Sequence, residues 1–275
     1  MAVDELWTIA AVDIDGTVIG QITDQQVSPD IQESLTGDSG GVYNRAASIL
    51  AESPRITFTT ECVKTLLATV GLTGLALTTE VPVTVYFQPY AAGGTRTAAG
   101  CVGWKVAAGL MVWRSISASR GQLASVTVEI IPVSDGTNHP IEKLSSQTHP
   151  TLPTPTQYIA DGTAVQSLEI DSGIEVTTMG DGALAWPTFA AIERVQPSVR
   201  IVKSSMGELT VGSEGSVALQ LLSLGGFKGS APITFTFNQE LVTTRSIGGR
   251  PAMTEYNVTP TYDATNAPIV ITGVT

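Results

Sequence analysis

The sequence predicts a mainly β fold made of two tandem, related β-sandwich or barrel domains, each with one short helix. Two observations lead to this prediction: strand-like segments fill most of the chain, and short motifs of the first half recur in order in the second. The composition agrees, because 43% of the 275 residues are hydrophobic and only 14% are charged, as in a packed protein rather than a disordered one.

The strand-like segments are rich in Val, Ile, Thr and aromatic residues. Several alternate apolar with polar positions, as half-buried strands do. They cover residues 54–60, 81–88, 109–118, 123–133, 166–178, 197–205, 232–247 and 254–262. A series of short strands separated by turn residues is typical of β-sandwiches and barrels.

Helical signals are few. In residues 60–71 apolar side chains recur at helical spacing, and Gly71 can end the helix. Residues 215–226 are a weaker second candidate. The polar segment 24–54 is expected to be one large loop, with room for a short helix over 43–51. A loop of that length is usually functional or a contact arm.

A stretch rich in Pro and Thr, residues 145–157, divides the chain nearly in half. Proline favours extended chain without a backbone donor, so this stretch is the expected linker. We therefore predict a first domain over residues 1–144, a linker over 145–160 and a second, shorter copy over 161–275. The second copy is expected to be shorter chiefly because the long loop is trimmed.

Five landmarks of the first half recur in the same order in the second. VDIDGTVIG matches LEIDSGIEV, RIT matches RIV, LLATVG matches LLSLGG, RSISASRG matches RSIGGRP, and PVSDGTNHPI matches PTYDATNAPI. Matched residues in two copies more often form turns or domain contacts than bind a ligand. The matched pairs are Arg55 with Arg200, Arg114 with Arg245, Asp135 with Asp263, and Asn138 with Asn266.

Near the N-terminus, an apolar run leads into Asp13-Ile14-Asp15-Gly16-Thr17. This string resembles the opening of haloacid dehalogenase phosphatases, in which the first aspartate attacks phosphorus and the second is the general acid/base. The chain lacks that fold's alternating helices, and the matching second-half string loses the nucleophile. We instead expect two hairpin turns, one at Asp15 and Gly16 and one at Asp171 and Gly173.

Other chemistry is sparse. We expect no catalytic residues, no bound metal and no cofactor, because no nucleophile-elbow, phosphate-loop or HExxH pattern occurs and the chain has two histidines. Cys62 and Cys101 stand alone, so burial as small apolar residues is the main interpretation and a disulfide the alternative. The net charge of −11 disfavours binding to nucleic acid. The N-terminus has no signal-peptide pattern, which predicts synthesis in a cytoplasm.

A duplicated, acidic β protein with a long polar loop resembles the tail tube proteins (major tail proteins) of long-tailed bacteriophages. The resemblance covers essentially the whole chain and rests on layout rather than on a diagnostic motif. It implies a virion protein of the tail that forms rings stacked into a tube, through which DNA passes without specific binding. A duplicated subunit implies three chains in each pseudo-sixfold ring, with other phage tail proteins as partners and no membrane.

The family's long loop reaches the neighbouring ring. The resemblance therefore makes segment 24–54 an inter-ring arm, with Asp38, Gly40, Tyr43 and Asn44 as candidate contact residues; a surface loop is the alternative. Three other interpretations stay open: another virion component (a capsid, decoration or distal-tail protein), a non-viral binding module or adhesin, and the phosphatase.

Overall fold

A computed structural model describes the chain in segments: residues 7–37, 44–89, 99–154, 156–160, 165–180, 182, 185–204, 215–222, 232–238, 241–248, 253–262, 265 and 267–274. Within them, the side chains of residues 35–37, 44–48, 215–222, 241–246 and 248 are left undescribed. The predicted mainly β class is confirmed: the described residues form antiparallel strands and one helix.

The strands of the first half lie in two sheets and one separate hairpin. They are β1 (Trp7–Ile14), β2 (Thr17–Ile19), β3 (Ile22–Ser28), β4 (Ile31–Gly37), β5 (Asn44–Glu52), β6 (Arg55–Thr60), β7 (Leu75–Leu77), β8 (Val83–Pro89), β9 (Ala99–Val106), β10 (Gly109–Ser119), β11 (Ser125–Pro132) and β12 (Glu142–Thr148). The helix α1 (Val63–Val70) follows β6.

The second half is built only from strands in its described part. They are β13 (Gln157–Ala160), β14 (Val165–Asp171), β15 (Ile174–Met179), β16 (Phe189–Val195), β17 (Ser198–Lys203), β18 (Gly215–Leu222), β19 (Ile233–Phe237), β20 (Leu241–Gly248), β21 (Met253–Thr259) and β22 (Ile269–Thr272).

One large sheet joins the two halves. Its strand order is β20-β21-β17-β14-β10-β11-β6-β3, with β7 added beside β10. Two smaller sheets have the orders β12-β9-β8-β1-β2 and β13-β18-β19-β22. Buried side chains from all three sheets and α1 form one hydrophobic cluster, so the core lies between the large sheet and the two smaller ones.

The two halves share one strand connectivity. Within the described residues, and leaving out β2 and β7, each half has ten strands. Taken in chain order, corresponding strands of the two halves have corresponding pairing partners. In the large sheet β3-β6-β11-β10 corresponds to β14-β17-β21-β20. In the smaller sheets β1-β8-β9-β12 corresponds to β13-β18-β19-β22. Whether the halves are separate domains stays a prediction, because the large sheet crosses the expected boundary.

Each half also contains one long hairpin that bends midway. Strands β3 and β6 pair in the large sheet and continue as the pair β4–β5, which we call the first arm. Strands β14 and β17 continue likewise as the pair β15–β16, the second arm. At the two bends Ser53 N–H donates to Asp30 O (3.3 Å), and Gln196 N–H donates to Gly173 O (3.0 Å).

Both bends need a residue with positive φ. Asp30 has φ of 46° and Gly173 has φ of 56°, in the left-handed region that Gly adopts freely and Asp tolerates. Asp30 and Gly173 therefore correspond, and each position of the first arm corresponds to the position 143 residues later. The arms have equal length, residues 31–52 and 174–195.

Several expectations need correction. Residues 215–222, expected to be helical, form β18, because they occupy the place of β8 between two strands of a sheet. Segment 24–54 is mostly strand and hairpin rather than a loop, and it is not trimmed in the second half. The connection between the halves is shorter than 145–160, since β12 reaches Thr148 and β13 begins at Gln157.

The turn residues Asp15 and Gly16, with φ of 47° and 81°, join the paired strands β1 and β2. The hairpin expected at Asp171 and Gly173 is wrong, because β14 and β15 pair with other strands. The stretch LEIDSGIEV corresponds instead to residues 25–33, around the bend.

Two further landmark matches also shift. By the shared bends, Arg200 corresponds to Thr57 rather than Arg55, a displacement of two residues on the same face. The LLATVG stretch lies in α1, whereas Leu221 and Leu222 end β18. The shorter second half reflects the region between β6 and β8, which carries α1 and β7, rather than the arm.

Candidate subunit interface

The large sheet consists of two corresponding four-strand units, β3-β6-β11-β10 and β14-β17-β21-β20, which meet where the halves join. Strand β10, last in the first unit, pairs antiparallel with β14, first in the second unit. Ile116 lies opposite Ile170 in this ladder, and both are 0% exposed. We call this contact the internal junction.

Arg114 reinforces the internal junction from the bulge at which β10 skips a partner. Its guanidinium group donates to the Glu129 carboxylate on β11 and to the carbonyl oxygen of Ile174 beyond the bend. Glu129 is 8% exposed and also accepts from Arg55 Nη1 at 2.7 Å. Two guanidinium groups thus compensate one buried carboxylate, as burial of a charge requires.

The large sheet ends at two open edges of the same kinds as those joined inside the chain. Strand β3, the counterpart of β14, has no partner beyond it in the described structure, and neither has β20, the counterpart of β10. Val27 on β3 corresponds to Ile170 and is 38% exposed. Ile247 on β20 corresponds to Ile116 and is 50% exposed. The pair buried at the internal junction is therefore exposed at the open edges.

A groove lies beside the β3 edge. It consists of two adjoining cavities of about 450 and 350 Å³ that share Val27, Trp104 and Lys143 as lining residues. The aromatic rings of Phe87 and Trp104 meet there at a centroid distance of 4.7 Å. Phe87, Trp104 and Lys143 belong to β8, β9 and β12. The groove floor is therefore the inner face of this small sheet, which extends past β3.

The corresponding floor in the second half is covered. Glu142 and Val270 correspond, because each directly follows the matched loop motif. Glu142 pairs with Lys105 and Val270 pairs with Thr236. The preceding residues, Trp104 and Phe235, therefore also correspond. Phe235 is 0% exposed and belongs to the same core cluster as Ile116. A groove that is open beside β3 is thus filled where the next four-strand unit is present.

The outward face of the large sheet is polar. Its described side chains include three arginines, each paired with a carboxylate: Arg55 and Arg114 with Glu129, and Arg200 with Glu255 at 2.7 Å and Glu169 at 3.8 Å. The hydrogen bond from Arg200 lowers the pKa of Glu255. Neighbouring positions on this face are Asp24, Gln26, Ser28, Thr57, Thr59, Ser115, Ser117, Ser125, Thr127, Ser167, Asp171, Ser198 and Asn257.

The matched loop residues Asp135 and Asn138 form a local turn. Asp135 Oδ1 accepts from the backbone N–H groups of Thr137 and Asn138, both at 2.8 Å, and Asn138 Nδ2 donates to Asp135 Oδ2 at 2.9 Å. These hydrogen bonds to Asn138 and Thr137 lower the pKa of the Asp135 carboxyl group.

The remaining sequence-predicted residues are only partly visible. Asp263, Asn266, Asp38, Gly40 and Tyr43 lie outside the described residues, and Arg245 and Asn44 are described for their backbone alone.

The two aspartates of the phosphatase-like string lie in the hairpin formed by β1 and β2. Asp13 lies in β1 between two antiparallel neighbours, β2 and β8, and Asp15 lies in the turn. Within the described ranges, no group of three or more His, Cys, Asp or Glu side chains is placed to hold a metal ion. Cys62 and Cys101 are free and buried, and burial raises the pKa of Cys62. No helix in those ranges could cross a membrane.

The comparisons with known proteins add no family assignment: neither the protein-family models nor the curated proteins yield a match to this chain.

Sequence reasoning missed the two open edges and the groove beside β3. The sequence contains only one indication of these edges. The string RSI occurs at Arg114 in β10 and at Arg245 in β20, and these two strands do correspond. The β3 edge could not be recognised from a motif. The corresponding stretches QQVSPD (25–30) and LEIDSG (168–173) both lead into a bend, but their residues differ.

Proposed function

We propose that this chain is a structural virion protein whose copies join edge to edge into rings, which stack into the tail tube of a long-tailed bacteriophage. One observation carries the proposal: the pairing of β10 with β14 inside the chain joins the same two kinds of edge that the chain leaves open, β20 and β3. Strand β20 of one chain can therefore pair with β3 of the next in the way that β10 pairs with β14 within the chain.

The internal junction supplies the register of the proposed contact. Ile247 of one chain lies opposite Val27 of the next, as Ile116 lies opposite Ile170, and the side of β20 that faces the core covers the Trp104 groove. Soluble monomers usually protect open strand edges from further pairing. An edge partner satisfies the backbone groups of both strands and buries both side chains.

Such a contact is heterologous, because two different edges meet, and repeated heterologous contacts form either a closed ring or an open filament. Three chains supply six four-strand units, and a closed sheet of six units matches the pseudo-sixfold ring implied by the resemblance. The partners are then further copies of this chain within the ring and other phage tail proteins at the ends of the tube.

The polar face of the large sheet suits the lumen of such a tube. Its three described arginines are all paired with carboxylates, so this part of the face presents hydroxyl groups, compensated charge and the further carboxylates of Asp24 and Asp171 instead of a basic patch. DNA binding depends on uncompensated Lys and Arg. A wall of this kind lets DNA pass without specific binding, with no need for a cofactor or a catalytic residue.

Electron microscopy of the purified protein, combined with native mass spectrometry, tests the proposal. We expect rings with a central hole, three chains in each ring and short stacks at high protein concentration. Closed shells would favour a capsid or decoration protein. A monomer at every concentration would contradict the proposal.

A further inference from the structure

The second arm does more than extend from the sheet: it lies on the preceding half of the same chain. At the bend, Arg114 donates to Ile174 O. Midway, Ile192 packs beside Val112, near enough to Gly74 that a Cβ there would meet Ile192 Cδ1 at 3.5 Å and Val112 Cγ1 at 2.9 Å. Two points of contact thus align the arm with the neighbouring unit.

The far end of the second arm is held more firmly. Glu52 N–H donates to Ala185 O and Ser134 N–H donates to Pro187 O, both at 2.7 Å. Trp186 Nε1 donates to Glu52 Oε2 at 3.2 Å, and the Trp186 ring meets that of His139 edge-on at 5.1 Å. The second arm is therefore seated along its length on the first half.

The first arm has the same strand pairing, but the described side chains of this arm are mostly exposed. Glu33 pairs with Ile49 as Val176 pairs with Ile192, and both arms skip the next residue at a bulge, Leu50 or Glu193. Ile49, the counterpart of the half-buried Ile192, is 55% exposed. The first arm thus exposes Ile49 to solvent, whereas the second arm packs the equivalent residue, Ile192, against the first half.

The surface that would receive the first arm lies on the second half. Val195 corresponds to Glu52, and Tyr262 corresponds to Ser134 through the matched loop motif. Both are apolar side chains in the open, 44% and 65% exposed respectively. The two positions that hold the second arm in the first half are thus occupied in the second half by exposed apolar residues.

We propose that the first arm of each chain is seated on the second half of the neighbouring chain in the same ring, with Ile49 half-buried there as Ile192 is within the chain. This inference rests on the proposed ring, since the pairing of β3 with the neighbour's β20 brings the arm over that surface. The partner is a second copy of this chain, and the contact is lateral within a ring.

Cysteine accessibility tests the seat with a matched control. Ile49→Cys and Leu50→Cys are neighbours of similar exposure, 55% and 63%, and the native cysteines are buried, so maleimide labelling has a low background. In assembled protein we expect Ile49→Cys to label many times more slowly than in the monomer. Leu50→Cys, at the bulge where the second arm carries exposed Glu193, should label equally in both.

Charge substitution gives a second readout. Ile49→Glu should raise the concentration needed for half-assembly by about tenfold or more, as loss of a buried apolar anchor does. Leu50→Glu, which copies the natural Glu193, should leave it unchanged. If rings form and Ile49 stays as reactive as Leu50, the lateral seat is wrong while the ring stands. If wild-type protein forms no rings, the ring proposal itself fails.

Discussion

The internal junction and the open edges are two versions of one contact, and they differ in what covers them. At the junction Ile116 and Ile170 are 0% exposed, whereas their counterparts Ile247 and Val27 are 50% and 38% exposed. The two four-strand units share one strand connectivity, and in the described structure a neighbouring strand covers the junction pair but not the edge pair. Under the proposed assembly, the internal junction supplies the register in which one copy joins the next.

The largest expected effect separates a core position from its counterpart at an edge. Ile116→Ala removes a fully buried side chain and should lower the free energy of unfolding by about 2–5 kcal/mol. Ile247→Ala should change monomer stability by no more than about 0.5 kcal/mol, as exposed substitutions do, yet weaken assembly. Urea denaturation of dilute protein measures the first effect, and sedimentation measures the second. Equal stability losses would mean that Ile247 is already buried in the monomer and that the β20 edge is not open.

The two bends differ in their tolerance of a side chain. At Gly173 an added Cβ would lie 1.8 Å from Gln196 O, whereas Asp30 already carries one. Gly173→Ala should therefore cost about 1–3 kcal/mol, through positive φ and this clash. Asp30→Gly should change stability by less than about 1 kcal/mol. Thermal unfolding of both variants checks this, and a harmless Gly173→Ala would show that the bend relaxes freely.

The carboxylates of the polar face should divide by burial. Glu129 is buried and bonded by two arginines, so Glu129→Gln should cost about 1–2 kcal/mol. Glu255, bonded to Arg200 at the surface, should show a smaller loss after Glu255→Gln, because exposed ion pairs contribute little. Parallel urea titrations compare them. A larger loss at Glu255 would contradict this division.

The Asp135 carboxylate should make a small contribution to the loss of stability in acid. The hydrogen bonds in its turn hold the pKa of Asp135 below the unfolded value. This carboxylate therefore stabilises the fold above the unfolded pKa, and the contribution is lost as pH falls through the folded pKa. Asp135→Asn should flatten the fall in melting temperature below about pH 4, near the ordinary Asp range. Asp263→Asn tests whether the second loop behaves alike. An unchanged acid profile in Asp135→Asn would argue against the turn's role.

The β class could be predicted because the alternation of apolar and polar residues is a local signal. The tandem domains inferred from the recurring motifs stay a prediction, although the two halves share one strand connectivity. Motif matching misplaced three of the five landmarks, since corresponding strands keep their partners while their residues differ. Residues 215–222 have helical spacing but pair with β13 and β19, so tertiary context overrides the pattern. The candidate interface could not be predicted from the sequence either. The correspondence of Val27 with Ile170 follows only from the shared position of the two bends in the structure.

A pair of cysteines tests whether β20 of one chain pairs with β3 of the next. In Val27→Cys/Ile247→Cys the two residues would lie directly opposite each other across the proposed contact, with Cα atoms about 4.5–5.5 Å apart, a separation that a disulfide can span. Val27→Cys/Ser246→Cys is the control, because Ser246 lies one position out of register. We expect efficient oxidation of the first pair into a ladder of cross-linked species that ends in a closed ring of three chains. Rings without this disulfide, or equal cross-linking of the control, would contradict it.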